Sequence, residues 1–200
     1  MDPNRILVIM VSAVFINNFV LSRFLGLCPF FGVSKKLDSA VGMGFAVTFV
    51  LVMSTLLIYP IQYGIFHHPA LEKYHLERFL DIIVFILVIA AFVQLVELTL
   101  RKIAPALYRA LGIYLPLITT NCAILGTAFI VIREKYTFAE SLLFSFFAGV
   151  GFTLALVMMA GVRERLTLSR VPKAFQDLPI AFVSAALMSL AMFGFTGFVK

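Results

Sequence analysis

Residues 41–59 read VGMGFAVTFVLVMSTLLIY, an unbroken run without a charged side chain. At 1.5 Å of rise per residue such a run makes a helix roughly 28 Å long, which matches the ~30 Å hydrocarbon core of a bilayer. Segments 82–100, 141–162 and 178–199 have the same character. Their one charged residue is Glu97, four positions before Arg101, the spacing of a helical ion pair. Composition agrees. The chain is 62% hydrophobic and 13% charged, with a mean hydropathy of +1.06, whereas a soluble domain carries about 25% charged residues to face water. A bilayer is the solvent this composition suits. The net charge of +6 does not point to nucleic acid: no basic run exceeds Lys35-Lys36, and the 22 Phe lie in apolar runs where lipid and neighbouring helices are their natural contacts. The N-terminal stretch has one basic residue, Arg5, and no small-residue cleavage site, so the first apolar segment is expected to persist in the mature protein. Both cysteines, Cys28 and Cys122, lie inside apolar segments, which disfavours a secreted disulfide framework.

Two further apolar segments are irregular. Segment 6–33 is interrupted by Asn17-Asn18, Arg23, Gly26 and Pro29; segment 107–132 contains Gly112, Pro116, Thr119-Thr120-Asn121 and Gly126. As straight helices they would be roughly 40 Å long. Breakers with excess length predict discontinuous helices, whose freed backbone groups need partners inside the protein; long tilted helices are the alternative. The fold class expected is therefore an all-α integral membrane protein of six transmembrane helices, with helices 1 and 4 interrupted. Ten of the sixteen basic residues fall at the ends joined after helices one, three and five, and that side nets the whole +6. Basic residues mark the cytoplasm, so both termini are expected on the external side. Irregular segments at positions one and four suggest two three-helix repeats in one membrane domain, approximately 1–102 and 103–200. The odd number of crossings per repeat would invert the second relative to the first. Leu25-Gly26-Leu27 and Leu111-Gly112-Ile113, each followed by a Pro and close to a Cys, are a faint sequence echo of such a duplication.

The chain's two cysteines fall one in each irregular segment. A single membrane cysteine is ordinarily a small buried hydrophobe; a pair at the two breaks of inverted halves suggests more. Counting from the nearest charged residues, Cys28 lies roughly 10 Å and Cys122 roughly 16–20 Å into the membrane if the backbone is helical. Bare thiolates at that depth are costly and need a metal. Soft thiolates suit iron–sulfur clusters, but a [2Fe–2S] cluster takes four, so one chain supplies half a set and a similar chain would have to bring the rest. Asn17 and Asn18 are expected to bond freed backbone or a partner helix rather than an ion. Thr119, Thr120 and Asn121 are candidates to cap the second half-helix or to donate to sulfur, and Arg23 either snorkels or balances an anionic cluster. His67, His68 and His75 sit in a solvated outer connection. Gly42, Gly44, Gly149 and Gly151 suit close helix packing, and with no preceding strand they form no nucleotide loop. No acidic residue is deep enough to nominate as an ion carrier.

The stretches Asn17-Asn18-Phe19-Val20-Leu21, Phe24-Leu25-Gly26-Leu27-Cys28-Pro29-Phe30, Gly32-Val33-Ser34-Lys35-Lys36, the run 111–123 (LGIYLPLITTNCA) and Gly161-Val162-Arg163-Glu164-Arg165-Leu166 with Val171-Pro172 closely resemble the A-subunit family of bacterial Rnf electron-transport complexes, over essentially the whole chain. The resemblance implies a membrane component of an ion-translocating ferredoxin:NAD oxidoreductase, coupled to Na⁺ or H⁺ transport, in the bacterial inner membrane. It implies that Cys28 and Cys122 ligate an intramembrane [2Fe–2S] cluster shared with the homologous E subunit of opposite orientation. The residues Asn18, Pro29, Thr120 and Asn121 are then candidates for the surroundings of those ligands. The B, C, D and G subunits are the other expected partners, with no nucleic acid and no complete active site on this chain alone. The related E subunit of the Na⁺-translocating NADH:quinone oxidoreductase shares the cysteines, and Asn17 and Pro29 favour the Rnf side. Two other readings remain open from the residues themselves: a secondary transporter without a redox centre, and a scaffold bundle.

Overall fold

A computed structural model describes residues 3–61, 83, 86–92, 94–95, 98, 102, 117–118 and 121–195. The described residues are helical or irregular, with no strand among them. In chain order the elements are α1 (Pro3–Val11), running into a π turn over Ser12–Ile16, then α2 (Leu27–Val33), α3 (Leu37–Ile61), α4 (Cys122–Arg133), α5 (Phe138–Thr167), a short 3-10 turn at Lys173–Phe175, and α6 (Leu178–Phe193). Backbone at 83, 86–92, 94–95 and 98 is helical, as the segment 82–100 predicts, and so is residue 102 just beyond it.

Two helices, α3 and α5, are each long and apolar enough to cross a membrane, by length and composition. They are apolar on all sides, the pattern of a helix whose whole surface meets protein or lipid. Only 44% and 50% of their most apolar windows are buried within the chain, which leaves apolar surface for lipid or other helices. The expected spans 41–59 and 141–162 lie inside these helices. The described part of the expected span 178–199 is helical to Phe193.

Helices α3 and α5 form the antiparallel core. Near one end, Tyr59 and Phe138 stack edge-on at 5.2 Å. Further along, Thr55 and Ser145 hydroxyls meet at 2.6 Å in the buried interior. At the crossing the contacts become reciprocal. A Cβ on Gly44 would lie 2.5 Å from Thr153, and one on Gly149 would lie 2.6 Å from Thr48. Each of these threonines donates its hydroxyl back to the glycine four residues before it, at 2.7 Å for Thr48 and 2.8 Å for Thr153. Glycine lets the backbones approach, and each Thr methyl fills the space opposite. Gly44 and Gly149 do the packing work expected of them, and a Cβ on Gly151 would lie 3.0 Å from Val14 O; Gly42 has nothing within 4 Å of a Cβ and is not at a close approach.

The first irregular segment is a broken helix. After the π turn, Asn17 N–H donates to Ser12 O at 2.6 Å, and the chain leaves helical geometry until Leu27. Asn18, fully buried, supplies the missing partners. Its Nδ2 donates to Val14 O at 3.0 Å and to Gly151 O on α5 at 2.8 Å, and its Oδ1 accepts from Val20 N–H at 3.1 Å and Leu21 N–H at 3.2 Å. The amide is saturated, which bears out a structural role over ion coordination. Asn17 also stays local, donating to Ser12 Oγ and accepting from the exposed Arg23 Nη2 at 2.9 Å. Ser189 of α6 donates to Leu21 O at 2.6 Å, tying the break to the last helix.

Replacing Asn18 with Ala would strand these backbone groups in the interior. Each buried unsatisfied group costs about 1–3 kcal/mol, so a loss of about 3 kcal/mol or more is expected. Heating the detergent-purified protein and following its folded fraction checks this; an unchanged melting profile would show that the break is held by other means.

Candidate functional site

The site grows from the two breaks. At the first, Gly26 adopts φ +81°, a left-handed conformation that glycine takes without penalty. Its carbonyl receives the first helical bond of α2, from Phe30 N–H at 3.2 Å. Leu27, Cys28 and Pro29 make the first turn, where proline is tolerated because the N–H it lacks would have no helical acceptor. Pro29 is buried and Cys28 is exposed.

At the second break, Asn121 is extended (φ −71°, ψ 109°) and caps α4, its Oδ1 accepting from Ala123 N–H at 3.1 Å. The capping role expected of Asn121 is thus observed. Cys122 is the first residue of α4 and is exposed, so its sulfur sits at the positive end of that helix dipole. Thr119 and Thr120 lie outside the described residues. So do His67, His68 and His75, the Glu97–Arg101 pair, and the breakers Gly112 and Pro116.

The structure joins the two breaks. Gly26 N–H donates to Cys122 Sγ at 2.9 Å, across 96 positions of sequence. The contact requires glycine: a Cβ on Gly26 would lie 2.6 Å from Phe152 Cε2, 3.0 Å from Asn121 Oδ1 and 3.4 Å from Ala123 Cβ. The residue two positions before one cysteine therefore packs on the residues that bracket the other. Neither thiol is the small buried hydrophobe that a membrane cysteine usually is. Asn121 is itself buried, and its Nδ2 has no hydrogen-bond partner among the described residues.

The donor set fits half of a [2Fe–2S] site. Two thiols emerge at adjacent breaks on the chain's surface, where a second chain can reach them. Among the described residues, no group of three or more His, Cys, Asp or Glu could hold a metal without help.

Sequence reasoning missed two features. The Gly26 amide is a backbone group, invisible in side-chain chemistry; Gly followed by Leu-Cys-Pro was its only trace. Arg163, on α5, is buried at 9% exposure and donates from Nη1 to Phe31 O at 2.9 Å and Ser34 Oγ at 3.1 Å, closing the end of α2. The sequence marked Arg163 only as one more basic residue at a helix end.

Comparison with known proteins points to a family of membrane subunits. The family described as "Rnf-Nqr subunit, membrane protein" matches residues 6–199. The A subunit of a Na(+)-translocating ferredoxin:NAD(+) oxidoreductase complex from Acetobacterium woodii is 54% identical over 189 residues, covering 94% of this chain and 95% of that protein. The A subunit of an ion-translocating oxidoreductase complex from Syntrophotalea carbinolica is 54% identical over 195 residues, covering 98% of each. Its namesake from Cronobacter sakazakii is 53% identical over 194 residues, covering 97% of each. With the match running from the first helix through the last, and the similarity to A subunits near full length, the chain belongs to the Rnf-Nqr family of membrane subunits, on the A-subunit branch of Rnf.

Proposed function

We propose that this chain is the A subunit of an ion-translocating ferredoxin:NAD oxidoreductase, in which Cys28 and Cys122 hold half of a [2Fe–2S] cluster shared with the homologous E subunit. The observation that carries this reading is the pairing of two exposed thiols across adjoining helix breaks, with Gly26 N–H directed onto Cys122 Sγ. A secondary transporter or a scaffold bundle needs neither exposed thiols nor a donor aimed at one of them.

Bound there, such a cluster would supply one-electron transfer within the membrane. The chain's own residues do the rest. Cys28 and Cys122 are the ligands. The N–H of Gly26 donates to one ligand sulfur and so favours negative charge on it, a recognised control on cluster potential. Asn121 and Asn18 fix the two breaks, and Arg163 fixes the far end of α2. Coupling to Na⁺ or H⁺ movement belongs to the assembled complex with its B, C, D, E and G subunits.

The same reading places the chain in the bacterial inner membrane as two inverted three-helix repeats with both termini outside. The reciprocal Gly44–Thr153 and Gly149–Thr48 contacts between antiparallel α3 and α5 support the inverted repeat, because a two-fold relation generates such exchange.

The test is iron and acid-labile sulfide in this chain co-purified with its E-type partner, with EPR of the reduced pair. Two iron atoms per pair are expected. A pair that is folded, correctly assembled and free of iron would remove the proposal.

A further inference from the structure

At the basic end of the bundle, where α5 runs out and the chain turns back into α6, lies a cavity of about 380 Å³. A water molecule occupies roughly 30 Å³ in the liquid, so the space admits about a dozen. That is enough for a phosphoglycerol headgroup. Arg163 and Lys35 are among its lining residues, with Asp177 as the acidic one.

Arg163 is the unusual member. Its guanidinium is buried, and Nη1 is committed to two neutral acceptors, Phe31 O and Ser34 Oγ. Among the described residues no carboxylate lies within ion-pair distance of it, since the single ion pair found joins Arg5 to Glu140. Asp177 acts on it only from beyond contact distance, so the buried charge is incompletely balanced, which is costly. Here it is also held in one orientation beside open space, with Lys35 bringing a second positive charge to the same walls. The neighbouring hydroxyls are already occupied: Thr167 Oγ1 donates to Glu164 O at 2.7 Å and Ser169 Oγ to Leu166 O at 2.9 Å, while Gln176 Nε2 spends one of its two N–H groups on Val171 O at 3.3 Å. Charge recognition therefore falls to the two cations. Asp177 opposes them, and the cavity nets one positive charge.

The surroundings choose the kind of anion. Leu166, Val171 and Ile180 give the cavity apolar walls. Phe175, Leu178 and Phe182, close by in the chain, are exposed at 51–55%. A soluble anion has no use for that surface, whereas an acyl chain has. We propose that this cavity binds the phosphate of an anionic glycerophospholipid at the basic face of the membrane, with Arg163 and Lys35 on the phosphodiester and the acyl chains along α6. Basic pockets between transmembrane helices are a known way of holding such headgroups.

Because Arg163 also closes α2, removing it would confound binding with folding, so the test uses the exposed Lys35 and Asp177. The detergent-purified complex is delipidated and titrated with dioleoylphosphatidylglycerol or dioleoylphosphatidylcholine, and retained lipid is counted by native mass spectrometry. Comparing wild type with variants cancels lipid held by other subunits. Expected are preferential retention of phosphatidylglycerol, about fivefold weaker binding in Lys35→Gln, stronger binding in Asp177→Asn, and no displacement by millimolar inorganic phosphate. Equal retention of the two lipids at this site, or no response to either substitution, overturns the proposal. Displacement by inorganic phosphate overturns it as well, and assigns the cavity to a soluble anion.

Discussion

Cys28→Ser and Cys122→Ser are each expected to abolish the proposed [2Fe–2S] cluster while leaving the helical bundle standing. Both thiols are exposed, so exchanging sulfur for oxygen removes little buried apolar surface. Surface changes of this kind stay within about 0.5 kcal/mol. The serine at 122 can still accept the Gly26 amide, so the join between the breaks survives. The chemistry does not. A hydroxyl is a hard, weakly acidic group and a poor substitute for thiolate on iron. Losing a group that only orients a metal ligand costs about 10–100-fold in affinity or activity, and losing the ligand should cost more. Iron should fall to background in each variant, with ferredoxin-driven NAD reduction by the complex down more than about 100-fold. Melting of the detergent-solubilised chain should stay near wild type. An unchanged EPR signal in both variants would sink the assignment. Loss of fold in both would instead make the cysteines structural.

Much of this was legible in the residues because the signals are local. Absence of charge over 41–59 and 141–162 needs no tertiary knowledge to mean a membrane helix. Gly26 followed two positions on by Cys28-Pro29 marks a helix start, glycine taking the left-handed turn and proline suiting a first helical turn, and Asn18 in an apolar run must find hydrogen bonds or destabilise the fold. What escaped was long-range. Helices apolar on every side carry no stripe to say which face meets which neighbour, so the pairing of Gly44 with Thr153 could not be read from either helix alone. Arg163 reaches back 132 positions to Phe31 O, and its place among the other basic residues concealed that reach. The Gly26–Cys122 bond belongs to the same class: sequence could bring the two breaks to one region but could not say that a backbone amide joins them.

That bond makes Gly26 the residue whose smallest change should cost most. Gly26→Ala faces two penalties that add. Holding a non-glycine residue in the left-handed region costs roughly 1–2 kcal/mol. The new methyl group would also lie 2.6 Å from Cε2 of the fully buried Phe152 ring; forcing a group into a packed interior costs about 1–3 kcal/mol. Either Phe152 or the 24–27 turn must move, and the turn carries the amide that faces Cys122 Sγ. The expected result is a lower melting point together with iron content well below wild type, two losses that Cys28→Ser should separate. Gly42→Ala is the control, since nothing lies within 4 Å of a Cβ there; it should keep full iron and a melting point no lower than wild type, because alanine suits a helix interior better than glycine. Adding Phe152→Leu to Gly26→Ala should recover part of the stability, because it relieves the collision but not the backbone cost. If Gly26→Ala kept full iron and full stability, the close approach at this break would not be what seats the second cysteine. The joining of the two halves would then rest on the α3–α5 crossing and on the bonds of Asn18, Arg163 and Ser189 between them.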